Sequence, residues 1–229
     1  RLVRNDRIAW GASMIACNDA DAMVTGNIRH YAASIEKLKR VTDPRPGEEI
    51  FGMTMITLKG KTILVADTNV QDFPSPERLV KVSKSCVRVA RLFGFDPKVA
   101  FLSHSTFGKP ISKNTKHVRD AIDLLKKEKV DFDFDGEMQP DVALNPIYQE
   151  IYPFSKIVGN ANILIMPALH SAAISTKLMK VFGGGKLIGP LLIGLGSPIE
   201  VAPLRASTSE ILNLASIAAY SSDVIDYSN

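Results

Sequence analysis

The sequence predicts an α/β fold with a mainly parallel sheet covered by helices on both faces. Three observations lead there. Short apolar or β-branched runs alternate with helical segments over most of the 229 residues. The helical segments carry apolar stripes, strongest over 76–93 with apolar residues at 79, 82, 86, 89, 90 and 93. Several strands run straight into glycine-rich or polar loops at their carboxyl ends, where such sheets bind ligands.

The elements follow in order. Residues 7–18 read as a helix with Ile8, Ala12, Ile15 and Ala16 on one face. Trp10 and Cys17 are expected in the core, as is Cys86. Ala22 to Gly26 is a short buried strand, and a helix is expected over about 31–42. Asp43-Pro44-Arg45-Pro46-Gly47 reads as a linker. A hairpin follows: Phe51 to Leu58, the turn Lys59-Gly60-Lys61, and a return strand from Thr62 to Asp67.

After the helix at 76–93 come a strand at Lys98 to Leu102, the polar loop Ser103 to Pro110, and a helix at about 114–128. Val130 to Phe134 reads as a strand running into Asp135-Gly136-Glu137-Met138, and Asn162 to Met166 as another. A helix is expected over about 170–182, an apolar stretch over 187–195 and a last helix over about 208–221. Gly183-Gly184-Gly185-Lys186 follows a helix and precedes a strand. That is the reverse of a phosphate loop, so it reads as a helix C-cap.

Composition narrows the class. A chain with 45% hydrophobic and 23% charged residues is not disordered. Leu187 to Leu195 is too short to span a bilayer, and the charged start reads as no signal peptide. Two cysteines suit a reducing cytoplasm. The net charge of +4 is not the basic stripe of a nucleic-acid binder. The run Lys37-Leu38-Lys39-Arg40 fits a solvated helix face or contact with an anionic ligand.

Chemistry concentrates in two places. The loop Ser103 to Lys109 offers hydroxyls, an imidazole, a lysine and backbone N–H groups that suit a phosphate or an amide. The acidic group Asp131, Asp133, Asp135, Glu137 and Asp141 would place three aspartates on one strand face. Carboxylates suit magnesium, but a solvated edge explains the pattern equally well, and no metal is expected. His30, His104, His117 and His170 pair with no nucleophile in any local motif.

Four segments carry a resemblance: Ser103-His104-Ser105-Thr106-Phe107-Gly108, Asp135 to Leu144, Ala161 to Pro167, and Gly189 to Leu195. Together with Asp19 to Gly26 they resemble the phosphate acetyltransferase family along essentially the whole chain. His170 to Lys177 and Ile199 to Leu204 resemble its branch at the C-terminus of hybrid NADP-dependent malic enzymes. The resemblance implies a three-layer α/β/α phosphotransacetylase-like (isocitrate/isopropylmalate dehydrogenase-like) fold with two domains around a cleft. Domain I would comprise 1–46 and 190–229, with its N-terminal part absent, and domain II 47–189. The start at Arg1 accordingly predicts a fragment of a longer chain.

Departures from the family pattern carry the functional expectation. Active members have a Ser-Arg pair and a downstream aspartate. Aligned through Gly189-Pro190 and Ile211, Pro203 and Leu204 stand on the pair and Glu210 on the aspartate. In an upstream Ser-Thr-x-Asp-Thr-x-Arg stretch the serine becomes His30 and the arginine Glu36. A cofactor-facing arginine falls on Val181, beside Lys180. Acetyl transfer between phosphate and coenzyme A needs a base and cations for phosphate and oxyanion. Proline and leucine supply neither, so no catalytic residue is expected.

The resemblance implies instead a regulatory domain that binds acetyl-CoA or CoA as an effector. It would be joined to an N-terminal malic enzyme domain and assembled as a homo-oligomer, a dimer or larger. Expected contacts are Ser105, Thr106, Phe107, Lys109, Lys180, Arg205 and Ile211. NADP and a divalent metal would serve the parent outside this chain. The competing readings are an active phosphate acetyltransferase and a purely structural oligomerisation domain.

Overall fold

The computed structural model describes residues 2–66, 73–225 and 227. In chain order the elements are α1 (Leu2–Asn5), α2 (Arg7–Ala16), β1 (Met23–Gly26), α3 (Tyr31–Leu38), β2 (Phe51–Leu58), β3 (Lys61–Ala66), α4 (Pro76–Leu92), β4 (Lys98–Leu102), α5 (Lys116–Glu128), β5 (Asp133–Met138), α6 (Pro140–Leu144), β6 (Ile163–Ile165), α7 (Leu169–Phe182), β7 (Lys186–Ile193), β8 (Ile199–Ala202) and α8 (Thr208–Val224). Short 3-10 turns lie at Lys113–Thr115 and Pro146–Ile151. Among the described residues no helix is long and apolar enough to cross a membrane.

The chain forms two compact units, one of residues 1–54 and 188–229, the other of residues 55–187. The chain passes between them inside β2 and inside β7. The proline-rich segment 43–47 lies within the first unit, where Pro44 bridges Leu195 and the Arg45 N–H donates to the Gly194 carbonyl.

The first unit holds the parallel pair β1 and β8, in register from Met23 opposite Ile199 to Gly26 opposite Ala202. Its core gathers Ile8, Ala12, Ile15, Ile35, Leu38, Val201, Leu214 and Ala218, all buried. Asp6 caps α2 by accepting from the Ile8 and Ala9 N–H groups at 3.0 and 3.3 Å. It also pairs with Lys37 and Arg29, and the Lys37 ammonium above all holds its carboxyl well below the usual carboxylate range. Lys37, read as part of a solvated or ligand-facing run, is thus used inside the unit.

The second unit holds strands β5, β4, β6 and β3, neighbours in that order, with parallel pairs β4–β5, β4–β6 and β3–β6. Alternation sends Val65, Ala100, Leu102, Leu164 and Met166 to one face, where they pack with Val142 and Ala143 of α6 and Ala172 of α7. Leu64, Val99, Phe101, Ile163 and Ile165 fill the opposite face and are buried, and α4 and α5 pack on the sheet. Helices therefore cover both faces, the arrangement expected from the alternation of strands and helices. The β2–β3 turn is Lys59-Gly60, with φ of 51° and 77°, the left-handed pair that a two-residue hairpin favours. The return strand was expected to reach Asp67, which lies outside the described residues.

Several expectations need correction. Trp10 is 55% exposed and Cys17 is exposed, because the buried face of α2 is Ile8, Ala9, Ala12 and Ile15. Cys86 is buried as expected. The helix expected over 31–42 ends at Leu38. The strand expected at 130–134 begins at Asp133 instead, since Lys129 takes a left-handed φ of 50° and ends α5 just before it. Strand β8 was not anticipated: a four-residue strand containing Glu200 lacks an uninterrupted apolar pattern.

Candidate functional site

The carboxyl ends of β4 and β5 lie side by side and carry a polar network. The two strands are in register up to Phe101 opposite Gly136, then Leu102 pairs with Met138. Glu137 is the extra residue at this irregularity. Bulges of this kind re-aim a side chain, and here a glycine makes the turn feasible. Gly136 has φ 143°, and a Cβ on it would sit 2.6 Å from the Phe101 carbonyl oxygen.

Glu137 is 1% exposed. Its Oε1 accepts from the Ser105 hydroxyl at 2.9 Å, the Gly108 N–H at 3.0 Å and Arg119 Nη1 at 3.1 Å. Its backbone carbonyl accepts from the Phe107 N–H at 2.7 Å. A buried carboxylate is tolerated when a cation and several donors surround it, and all three donors here are of that kind. Asp135, also buried, accepts from the N–H groups of Gly136 at 2.9 Å and Lys156 at 2.7 Å. The solvated-edge reading of this acidic run therefore fails at Asp135 and Glu137, while Asp131, Asp133 and Asp141 are exposed as it expects. Among the described residues no cluster of three or more His, Cys, Asp or Glu side chains is placed to hold a metal ion.

The loop closes on itself as well. Thr106 and Lys109 exchange backbone hydrogen bonds at 2.8 and 3.1 Å. The Ser105 N–H donates to Ser103 Oγ at 3.2 Å, and the Gln139 N–H donates to Thr106 Oγ1 at 3.2 Å. The amides from Ser105 to Lys109, read from the sequence as free to cradle a phosphate, therefore already have partners within the protein. Ser105 is fully buried and Thr106 nearly so.

What the loop presents outward is different. Lys109 and His104 are exposed. Phe107, held at φ 48°, packs with Tyr152 and Phe154 at ring-centroid distances of 5.3 and 4.9 Å. Phe154 is 65% exposed, so the aromatic group continues to the surface. Of the other expected contacts, Lys180 is exposed on α7 of the same unit. Arg205 and Ile211 belong to the first unit. Arg205 is exposed with φ 58° and donates its N–H to the Asn27 carbonyl at 2.9 Å, while Ile211 lies half-buried in the first turn of α8.

Sequence reasoning missed the organising roles of Glu137 and Arg119. Glu137 was read within an acidic run and Arg119 not at all, because the partners of Glu137, Arg119 among them, are 18 to 32 residues away in sequence. His117 has a structural role: its Nε2 lies 2.9 Å from the Pro167 carbonyl oxygen and its ring packs on Phe73.

Comparison with known proteins agrees with this fold. An NADP-dependent malic enzyme of Rhizobium meliloti is 46% identical over 220 residues, which cover 96% of this chain and 29% of the relative. A probable NADP-dependent malic enzyme of Rickettsia prowazekii is 36% identical over 228 residues, covering 95% of this chain and 30% of the relative. The chain thus spans less than a third of the length of these relatives. A phosphotransacetylase structure from Streptococcus pyogenes superposes with a TM-score of 0.88 at 28% identity, over 94% of this chain and 67% of that one. The phosphate acetyl/butaryl transferase family pattern matches residues 1–219, and the chain belongs to that family.

Proposed function

We propose that this chain is the phosphotransacetylase-like regulatory domain of an NADP-dependent malic enzyme. In this reading it binds acetyl-CoA as an allosteric effector and does not transfer acetyl groups. Similarity to malic enzymes, of which this chain matches less than a third, supports the parent. Oxidative decarboxylation of malate, with NADP and a divalent metal, would belong to the rest of that parent, N-terminal to this chain. The proposal includes a cytoplasmic homo-oligomer, and two unpaired cysteines fit a reducing compartment.

The observation that carries the non-catalytic reading is the state of Glu210. It stands where active family members have their aspartate, yet its carboxylate caps α8 by accepting from Ser207. Pro203 and Leu204 replace the Ser-Arg pair and bring no proton-transfer group and no cation. Binding requires fewer groups than turnover, so a family site without its reactive residues still suits a sensor. Coenzyme A needs cations for its phosphates and an apolar wall for its pantetheine arm. Lys109 and Lys180 supply the first and Phe107 with its aromatic neighbours the second. Ser105 and Thr106 shape the loop from behind.

Isothermal titration of the purified chain with acetyl-CoA tests this reading, with saturable binding expected. The second reading, an active phosphate acetyltransferase, draws on the match to the S. pyogenes phosphotransacetylase. Acetyl phosphate formation from acetyl-CoA and phosphate would select it.

A further inference from the structure

The segment from Ser103 to Thr115 runs from the end of β4 to the start of α5, and two side chains fasten it. Glu137 takes the Ser105 hydroxyl and the Gly108 N–H. Arg119 reaches in the other direction: its Nη2 donates to the Ser112 carbonyl at 2.9 Å and its Nη1 to Thr115 Oγ1 at 2.6 Å. The same Nη1 donates to Glu137 Oε1. One ion pair thus joins the two halves of the strap. Its carboxylate is 1% exposed, and the arginine side chain is 32% exposed.

We propose that Glu137 and Arg119 are positioning residues: their ion pair sets the conformation of the 103–115 strap and thereby the affinity of the loop for its ligand. The affinity part rests on the acetyl-CoA reading above. The geometry supplies the reason. Phe107, half-buried against the core, and the exposed Lys109 flank Gly108, whose amide hydrogen bonds to Glu137. Phe107 sits at a left-handed φ that a bulky residue does not adopt without outside constraint. The constraint is its own N–H on the Glu137 carbonyl and the neighbouring amide on the Glu137 side chain. The planar guanidinium spans Ser112, Thr115 and Glu137 at once, which a lysine ammonium cannot reproduce.

The test uses Glu137→Gln and Arg119→Lys in the full 229-residue chain, with two readouts. Amide exchange reports the strap directly through Gly108, and calorimetry reports acetyl-CoA affinity. Glu137→Gln is expected to lower Gly108 protection at least tenfold and to weaken acetyl-CoA at least tenfold. Amides of β3 and α4, such as those of Val65 and Val87, should keep their protection. Arg119→Lys, which keeps the charge but loses the fork, should lower Gly108 protection by a smaller factor and stands in for Glu137→Gln if that variant does not fold. Unchanged Gly108 protection in a folded variant overturns the proposal. So does lost protection with unchanged affinity. If the unaltered chain does not bind acetyl-CoA, the functional reading fails on its own, and Gly108 exchange still decides whether the pair positions the strap.

Discussion

The carboxylate oxygen Oε2 of Glu210 accepts from both the amide and the hydroxyl of Ser207, each at 2.8 Å, and the Ser207 hydroxyl in turn accepts from the Glu210 N–H at 3.3 Å. This is a reciprocal capping box at the start of α8. It gives Glu210, which the proposed reading sets on the family's aspartate position, a structural task. Glu210→Ala should therefore cost about 1 kcal/mol of stability, the usual scale for a lost cap. It should leave acetyl phosphate formation at background, measured as thiol release from acetyl-CoA in phosphate buffer. A variant that abolished a measurable turnover would show that Glu210 acts as a base.

Glu200 makes stability depend on pH. It is 5% exposed on β8, and its carboxylate accepts one hydrogen bond, from the Leu192 N–H at 2.9 Å. Burial pushes its carboxyl from 4.5 up to about 8, against the smaller opposite effect of the Leu192 bond. The folded chain therefore keeps a proton that the unfolded chain releases. This stabilisation is complete below the unfolded value, declines as pH rises through the interval and is gone above about 8. The slope is at most about 1.4 kcal/mol per pH unit for one proton. Glu200→Gln should flatten urea-derived stability between pH 5 and 8 and gain on the unaltered chain as pH rises. Parallel curves for the two proteins would exclude a proton held at Glu200.

At Gly136 the backbone itself is the constraint. Its φ of 143° and the 2.6 Å approach of an added Cβ to the Phe101 carbonyl leave no room for a side chain. Gly136→Ala should destabilise by roughly 2 kcal/mol or more, the scale of a strained non-glycine conformation plus a backbone clash. The loss should appear in chemical denaturation together with faster exchange at Gly108. An unchanged midpoint would show that the bulge is not needed to aim Glu137.

Trp10 is the chain's single tryptophan, and it is 55% exposed. Its fluorescence should be red-shifted in the folded chain and quenched by iodide nearly as well as in urea. A blue-shifted, protected emission would show that another surface covers α2.

Local signals made much of the architecture legible. Lys59-Gly60 placed the hairpin, and the apolar stripe of α4 and the polar loop after β4 fell where expected, since each depends on neighbours in sequence. The site was legible only in outline. The motif around Ser105 drew attention to the loop after β4, but the Phe107 and Gly108 amides looked free because their acceptor, Glu137, arrives from another strand. Asp135 and Glu137 read as solvated because sequence shows charge and not the donors that neutralise it. Trp10 and Cys17 were misplaced because a helix apolar on two sides does not say which side is covered.

Binding without turnover is decided most directly by titrating acetyl-CoA calorimetrically into the 229-residue chain in phosphate buffer and assaying free thiol in the cell afterwards. The expected result is a saturable heat with no thiol released. Absence of a saturable heat, or thiol accumulating beyond the number of protein molecules, would contradict it.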